Sequence, residues 1–185
     1  IEVIKELTDP MLKEILDELN IWWCDEIVPG EQLKARIVLI FKKGDSSNLD
    51  NYRPISLLNV MYKIFASILH SRIEEKIDTH LQRTQYGFRK KKSTAQAIHI
   101  IRRIIDTSRR SGINLSVMML DWEKAFDKVS HEGLHNALER MGLPQKLRNL
   151  IKQLYKSPQF KIEIDGVPSQ WKTQGSGIRQ GCPLS

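Results

Sequence analysis

Cysteine is nearly absent. The two present, Cys24 and Cys182, stand far apart with no CxxC spacing, which argues against a disulfide framework and a zinc site and fits a reducing compartment. Long apolar runs are missing too: none approaches the ~18 residues needed to cross a bilayer, so a membrane span is excluded. The opening residues IEVIKELTDP carry neither a basic n-region nor an apolar h-region, and no secretory signal is legible. The chain starts at Ile1 and not at Met, so a removed leader stays open. Internal repeats and low-complexity linkers are lacking as well. The remaining composition is ordinary for a soluble chain, with 41% apolar and 28% charged residues in a length of 185. That disfavours disorder and suffices for one full domain or one and a half small ones.

Charge is unevenly spread. From Ile1 to Val28 two basic residues face eight acidic ones, whereas from Arg83 to Arg110 nine basic residues face Asp106 alone. That one stretch is more positive than the whole chain's net +7, the footprint of a phosphate-backbone binder. A solvated basic helix is the alternative reading on charge alone.

Periodicity predicts an α+β chain. Thr8 or Asp9 caps a helix with Pro10 at its start and Leu12, Ile15, Leu16, Leu19 and Trp23 on one face, ending before Pro29-Gly30. Trp22 and Trp23 are expected to pack that helix. Ala35 to Phe41 reads as a strand covered on both faces, and KKGDSSNLDNYRP as a loop. A helix is expected over about Asn59 to Thr79, and another from a Ser93/Gln96 capping box to Gly112. Leu115 to Leu120 reads as a second buried strand with Asp121 at its end. Ser130 caps a helix that stops at Gly142, and a further one runs from Pro144 through Leu154. Phe160 to Ile164 and Val167 to Trp171 form a hairpin around an Asp165-Gly166 turn, and a glycine-rich loop enters a helix at Pro183.

Several of these positions suit chemistry. A carboxylate at a strand's end, as at Asp121, is well oriented to hold Mg²⁺ for phosphoryl transfer; the alternative is a turn cap. Asp127 reads as a turn or helix-start residue. Lys42 and Lys43, with Arg53 beyond a flexible loop, combine a point charge with a planar guanidinium suited to a triphosphate, or are incidental to a surface hairpin. Gly175, Gly177 and Gly181 around Arg179 and Gln180 allow close backbone approach, or make a plain connector. His131 and His135 share a helix face, but without a third ligand zinc is disfavoured.

Taken in order, RIVLIFKKGD, NYRPISLLNVMYKIFA, QYGFRKKKSTAQAI, MLDWEKAFDKVSHEGL and SGIRQGCPLS resemble the reverse-transcriptase domain of non-LTR (LINE-type) retrotransposons, over about Arg36 to Ser185. A group II intron type is the nearest alternative. The resemblance implies a right-hand polymerase fold, with residues 1–114 as a fingers region and 115–185 as a partial palm. It implies an RNA-directed DNA polymerase acting on an RNA template, a DNA primer and dNTPs through two Mg²⁺ ions. By the same resemblance Asp121 is a metal ligand and Trp122 offers its backbone carbonyl to an ion. Phe126 is the steric gate beneath the sugar, Lys42 (with Lys43 as rival) and Arg53 cover the triphosphate, and Gln180 and Gly181 shape the nucleotide pocket. Arg89, Lys90, Lys91, Lys92, Arg102 and Arg103 are the expected nucleic-acid contacts. The sequence ends at Ser185, ahead of the family's paired-Asp box, so the chain is expected to be a fragment that is inactive alone. An intracellular ribonucleoprotein, nuclear or cytoplasmic and not secreted, is the expected setting; oligomeric state is open. Two other classes stay open: a degenerate, non-catalytic nucleic-acid-binding module, and a protein-interaction domain using the acidic first helix.

Overall fold

The structure is a computed structural model that describes residue 4, residues 6–164 and residues 166–185. Its helices are α1 (Asp9–Asp25), α2 (Val60–Asp78), α3 (Thr94–Ser111), α4 (His131–Arg140) and α5 (Gln145–Leu154). Its strands are β1 (Lys34–Phe41), β2 (Tyr52–Leu58), β3 (Gln159–Ile164), β4 (Val167–Pro168) and β5 (Lys172–Thr173). The chain divides into two compact units, Ile1–Glu74 with Lys124–Ser185, and Glu75–Glu123. Among the described residues no helix is long and apolar enough to cross a membrane.

In the first unit, Thr8 sits in extended backbone as the N-cap of α1, with Pro10 in the first turn, where a missing N–H costs nothing. The helix stops at Glu26, which takes left-handed backbone at φ 54. Its buried stripe is Leu19 and Trp22; Leu12 and Leu16 of the expected face are 38% and 55% exposed. Trp22 packs edge-on against Phe65 at 5.5 Å and donates from Nε1 to Glu18 Oε1 at 2.7 Å. Trp23 instead receives the Arg72 guanidinium at 4.0 Å from its ring centroid. With Trp22 and Phe65, the fully buried side chains include Tyr62, Leu69, Leu150 and Leu154, from α2 and α5. Each large apolar side chain so placed contributes roughly 1.5–3 kcal/mol.

β1 and β2 form an antiparallel hairpin, in register from Ala35 opposite Leu58 to Phe41 opposite Tyr52. Two expectations are corrected here. The turn-rich run does not remain a loop to Pro54: Tyr52 already opens β2, and Pro54 is tolerated because β2 is the sheet's edge. Nor is β1 covered on both faces, since Ala35 is buried while Val38 and Ile40 are 40% and 52% exposed. An unbroken apolar run does not distinguish a one-sided strand from a two-sided one. β3 lies parallel along the other side of β1, with Ile37 opposite Ile162, and carries β4 and β5 antiparallel. The expected return leg is thus split in two, and Asp165 of its turn lies outside the described residues. Pro183 and Leu184 form a turn and not the start of a helix.

In the second unit, α3 begins as its capping box predicts, with Ser93 N–H donating to Gln96 Oε1 at 3.1 Å, and ends at Gly112 with φ 66. The buried strand expected at Leu115 to Leu120 is absent. Residues 113–122 carry no strand, and Met118, Met119 and Leu120 are 83%, 86% and 85% exposed. A strand exists only through its partners, and no ladder among the described residues reaches this segment.

Candidate functional site

A cleft of about 670 Å³ opens in the first unit, lined by Lys42, Arg53, Phe126 and Gln180 together with Leu39, Pro54 and Ile162. Asp50, Lys124 and Asp127 add charge to the same lining. Lys42 follows β1 directly and is fixed by its N–H, which donates to the Asn51 carbonyl at 2.8 Å. The intervening loop is stapled by its own short polar side chains. Ser47 N–H donates to Asp45 Oδ1 at 2.9 Å, Asn51 Nδ2 to the Asp45 carbonyl at 2.8 Å, and Tyr52 OH to the Ser46 carbonyl at 2.9 Å. The bonds from Ser47 hold the Asp45 carboxyl below the usual carboxylate range. Arg53 lines the cleft from the edge strand, although its register partner Ile40 belongs to the face opposite Leu39 and Pro54. Lys43 is exposed and is not part of the lining.

Phe126 sits in a turn closed by Asp127 N–H and Lys128 N–H donating to the Lys124 carbonyl at 3.0 and 3.1 Å. Against this turn lies the glycine-rich loop, joined by Ile178 N–H to the Phe126 carbonyl at 2.9 Å and Gly177 N–H to the Val129 carbonyl at 2.7 Å. Two glycines are required for that approach. A Cβ on Gly177 (φ 82) would stand 2.8 Å from the Asp127 carbonyl oxygen, and one on Gly181 (φ 113) 2.8 Å from that of Ser56. Ser56 N–H donates to the Gln180 carbonyl at 2.8 Å, which pins the loop to β2.

Residues that the sequence assigned another role, or none, brace this site. His131 Nε2 donates to the Gly177 carbonyl at 2.9 Å, so this imidazole supports the loop. Arg179, 2% exposed, donates from Nη2 to the Leu33 carbonyl and lies 5.4 Å from the Tyr62 ring centroid. Its burial lowers its pKa. Lys124 and Asp50 meet at 2.8 Å, and the lysine holds the Asp50 carboxyl below its usual range. No local pattern marks these partners, because each is far from the other in sequence.

Asp121 and Trp122 belong to the second unit, both exposed, with Trp122 84% open. Among the described residues no three His, Cys, Asp or Glu side chains gather where they could hold a metal ion. The described residues therefore do not by themselves gather the ligands of a Mg²⁺ centre. Of the basic stretch, Arg89 turns inward: Nε and Nη2 donate to Asp78 Oδ1 and Oδ2 at 2.7 and 2.9 Å, and Nη1 to the Gln82 carbonyl at 2.8 Å. Lys92 leans on the Tyr86 ring at 5.1 Å, while Lys91, Arg102 and Arg103 are exposed. The cleft brings together three cations, two carboxylates, the rings of Tyr52 and Phe126 and the Gln180 amide, and its excess of cations and its aromatic wall suit an anion that carries a ring system.

The sequence pattern of the family described as "Reverse transcriptase (RNA-dependent DNA polymerase)" matches residues 40–185. The chain is 32% identical over 152 residues to "Transposon TX1 uncharacterized 149 kDa protein" of Xenopus laevis, covering 82% of this chain and 12% of that protein. It is 32% identical over 159 residues to "Retrovirus-related Pol polyprotein from type-1 retrotransposable element R2" of Nasonia vitripennis, covering 85% and 15%. With "RNA-directed DNA polymerase from mobile element jockey" of Drosophila funebris it shares 30% identity over 159 residues, covering 84% and 17%. The chain spans less than a fifth of the length of these relatives.

Proposed function

The chain belongs to the reverse transcriptase family, among relatives from non-LTR retrotransposons, and from that premise we propose that it is the dNTP-binding part of an RNA-directed DNA polymerase. Lys42 and Arg53 hold the triphosphate, Phe126 packs beneath the deoxyribose, and Gln180 and Gly181 shape the pocket. Asp121 and the Trp122 carbonyl are the proposed positions for the Mg²⁺ ions of the complete enzyme. Residues 1–114 act as fingers and 115–185 as part of the palm. RNA template and DNA primer are bound through Lys90, Lys91, Lys92, Arg102 and Arg103, without sequence preference, because phosphate contacts carry no base information.

The observation that supports this reading most is the convergence of Lys42, Arg53, Phe126 and Gln180, from four separate segments, on one cleft. A charge-assisted bond contributes about 1.5–3 kcal/mol. Arg53→Ala is therefore expected to weaken binding of a fluorescent dNTP by roughly ten-fold or more, with Arg83→Ala as an unchanged control. Equal affinity in wild type and Arg53→Ala would remove the cleft from the reading. Nucleic-acid binding with no dNTP binding at all would favour a non-catalytic module instead.

A further inference from the structure

We propose that Lys124 is a third cation of the triphosphate site and that Asp50 occupies it in the empty cleft, as a built-in competitor that the incoming triphosphate displaces. The inference rests on the dNTP reading of the cleft and adds two residues which that reading does not contain. Lys124 Nζ stands 2.8 Å from Asp50 Oδ1, and both residues line the cleft beside Lys42 and Arg53. Lys42 Nζ lies 3.5 Å from the Asp50 carbonyl oxygen, so two of the cleft's cations converge on one acidic residue. The backbone of Lys124 is itself unusual: its φ of 50 puts a residue with a side chain in the left-handed region, a cost met mostly where the surroundings require it. The Asp50 side is fixed by the short turn Leu49–Asn51, in which Asp50 N–H donates to Asn48 Oδ1 at 3.0 Å.

Strength decides between a lock and a placeholder. The two side chains are 51% and 71% exposed, and an ion pair in that setting is weak because water screens it. A single carboxylate held so weakly is outcompeted by a ligand with several negative charges, which can also engage Lys42 and Arg53. Asp50 thus acts as a stand-in for phosphate: it offsets part of the cations' charge when the cleft is empty and leaves when the ligand arrives.

The test titrates the 185-residue chain with inorganic tripolyphosphate and, separately, with a fluorescent dNTP. Asp50→Asn is expected to bind both about two- to five-fold more tightly than wild type, the fold-change that corresponds to an exposed ion pair. Lys124→Ala is expected to bind both more weakly, and in that background Asp50→Asn is expected to lose most of its gain. Asp45→Asn removes a carboxylate of the same loop that is bonded to Ser47 and is expected to change nothing. Wild type that binds dNTP, with Asp50→Asn binding no better, overturns the competitor while the dNTP reading stands. An equal gain from Asp45→Asn, or an undiminished gain in the Lys124→Ala background, overturns it as well, because either would mean general charge repulsion. Tripolyphosphate bound more tightly by Asp50→Asn, with no dNTP bound by any variant, keeps the competitor and rejects the nucleotide reading. No binding of either probe by any variant rejects both.

Discussion

Phe126 keeps 38% of its surface open while its carbonyl is held by the Ile178 N–H. The loop's anchoring therefore does not depend on the ring. Phe126→Val is expected to cost under ~1 kcal/mol, well below the ~3–5 kcal/mol of truncating a buried phenylalanine, and to bring the ratio of rNTP to dNTP dissociation constants closer to one. Paired titrations beside a thermal melt check this; a lowered melting temperature with an unchanged ratio returns Phe126 to a packing role. Gly181 behaves in the opposite way. Its φ of 113 and the Ser56 carbonyl oxygen 2.8 Å from any added Cβ mean that Gly181→Ala must push the loop away from β2, where Ser56 N–H bonds the Gln180 carbonyl. The expected loss is ~2–3 kcal/mol in urea unfolding, whereas Gly175, with nothing within 4 Å of an added Cβ, is expected to accept Ala within ~0.5 kcal/mol. At this scale residue type alone marked Lys42 and Arg53, whose charges suit a triphosphate, while Phe126 and the pocket role of Gln180 came from the family resemblance. The sequence did not show that Ser56, His131 and Arg179 brace the loop, because each of these roles depends on a partner distant in the chain.

Arg89 shows how an element reassigns a charge. Counted in sequence it belongs to the basic stretch, yet its guanidinium is engaged by Asp78 and the Gln82 carbonyl, tying the chain after α2 back to that helix's end. Arg89→Ala is thus expected to lower the melting temperature and leave the salt dependence of single-stranded RNA binding unchanged. Replacing Lys90, Lys91 and Lys92 by Ala is expected to flatten the slope of log affinity against log salt by about 2, at ~0.7 per phosphate contact. A slope altered by Arg89→Ala alone would contradict this division. The same pair sets a pH dependence. The bonds from Arg89 depress the Asp78 pKa, so the unfolded chain takes up the proton first as pH falls. The pair's contribution is therefore complete above the ordinary carboxylate value of about 3.9 and is lost as pH drops through the depressed one. The stability difference between wild type and Asp78→Asn should shrink over that window, and a constant difference would count against the pairing. Helices α1 to α5 were legible because caps and apolar spacing are local. β2 was hidden by the turn-forming residues that precede it, and the run Leu115 to Leu120 looks like a strand by composition although strand pairing is decided elsewhere in the chain.

Across the whole molecule, charge segregation and cleft chemistry carry the functional account, and size does not. A second cavity, about 970 Å³, is lined by His131, His135, Tyr155, Glu132 and their neighbours, with acids and bases mixed. The cleft of about 670 Å³ also mixes charges, with Asp50 and Asp127 beside Lys42, Arg53 and Lys124, but adds the Phe126 ring and the Gln180 amide. The family membership was readable from five ordered motifs, whereas the cleft itself needed the fold, since β1, β2, the turn after Glu123 and the glycine-rich loop meet only in three dimensions. The most direct measurement is photo-crosslinking of an azido-dNTP to the 185-residue chain, followed by peptide mapping. Adducts are expected within residues 39–54, 124–127 and 178–181, all suppressed by excess unlabelled dNTP. Competed adducts confined to the cavity around His131, His135 and Tyr155, with none in those three segments, would contradict it.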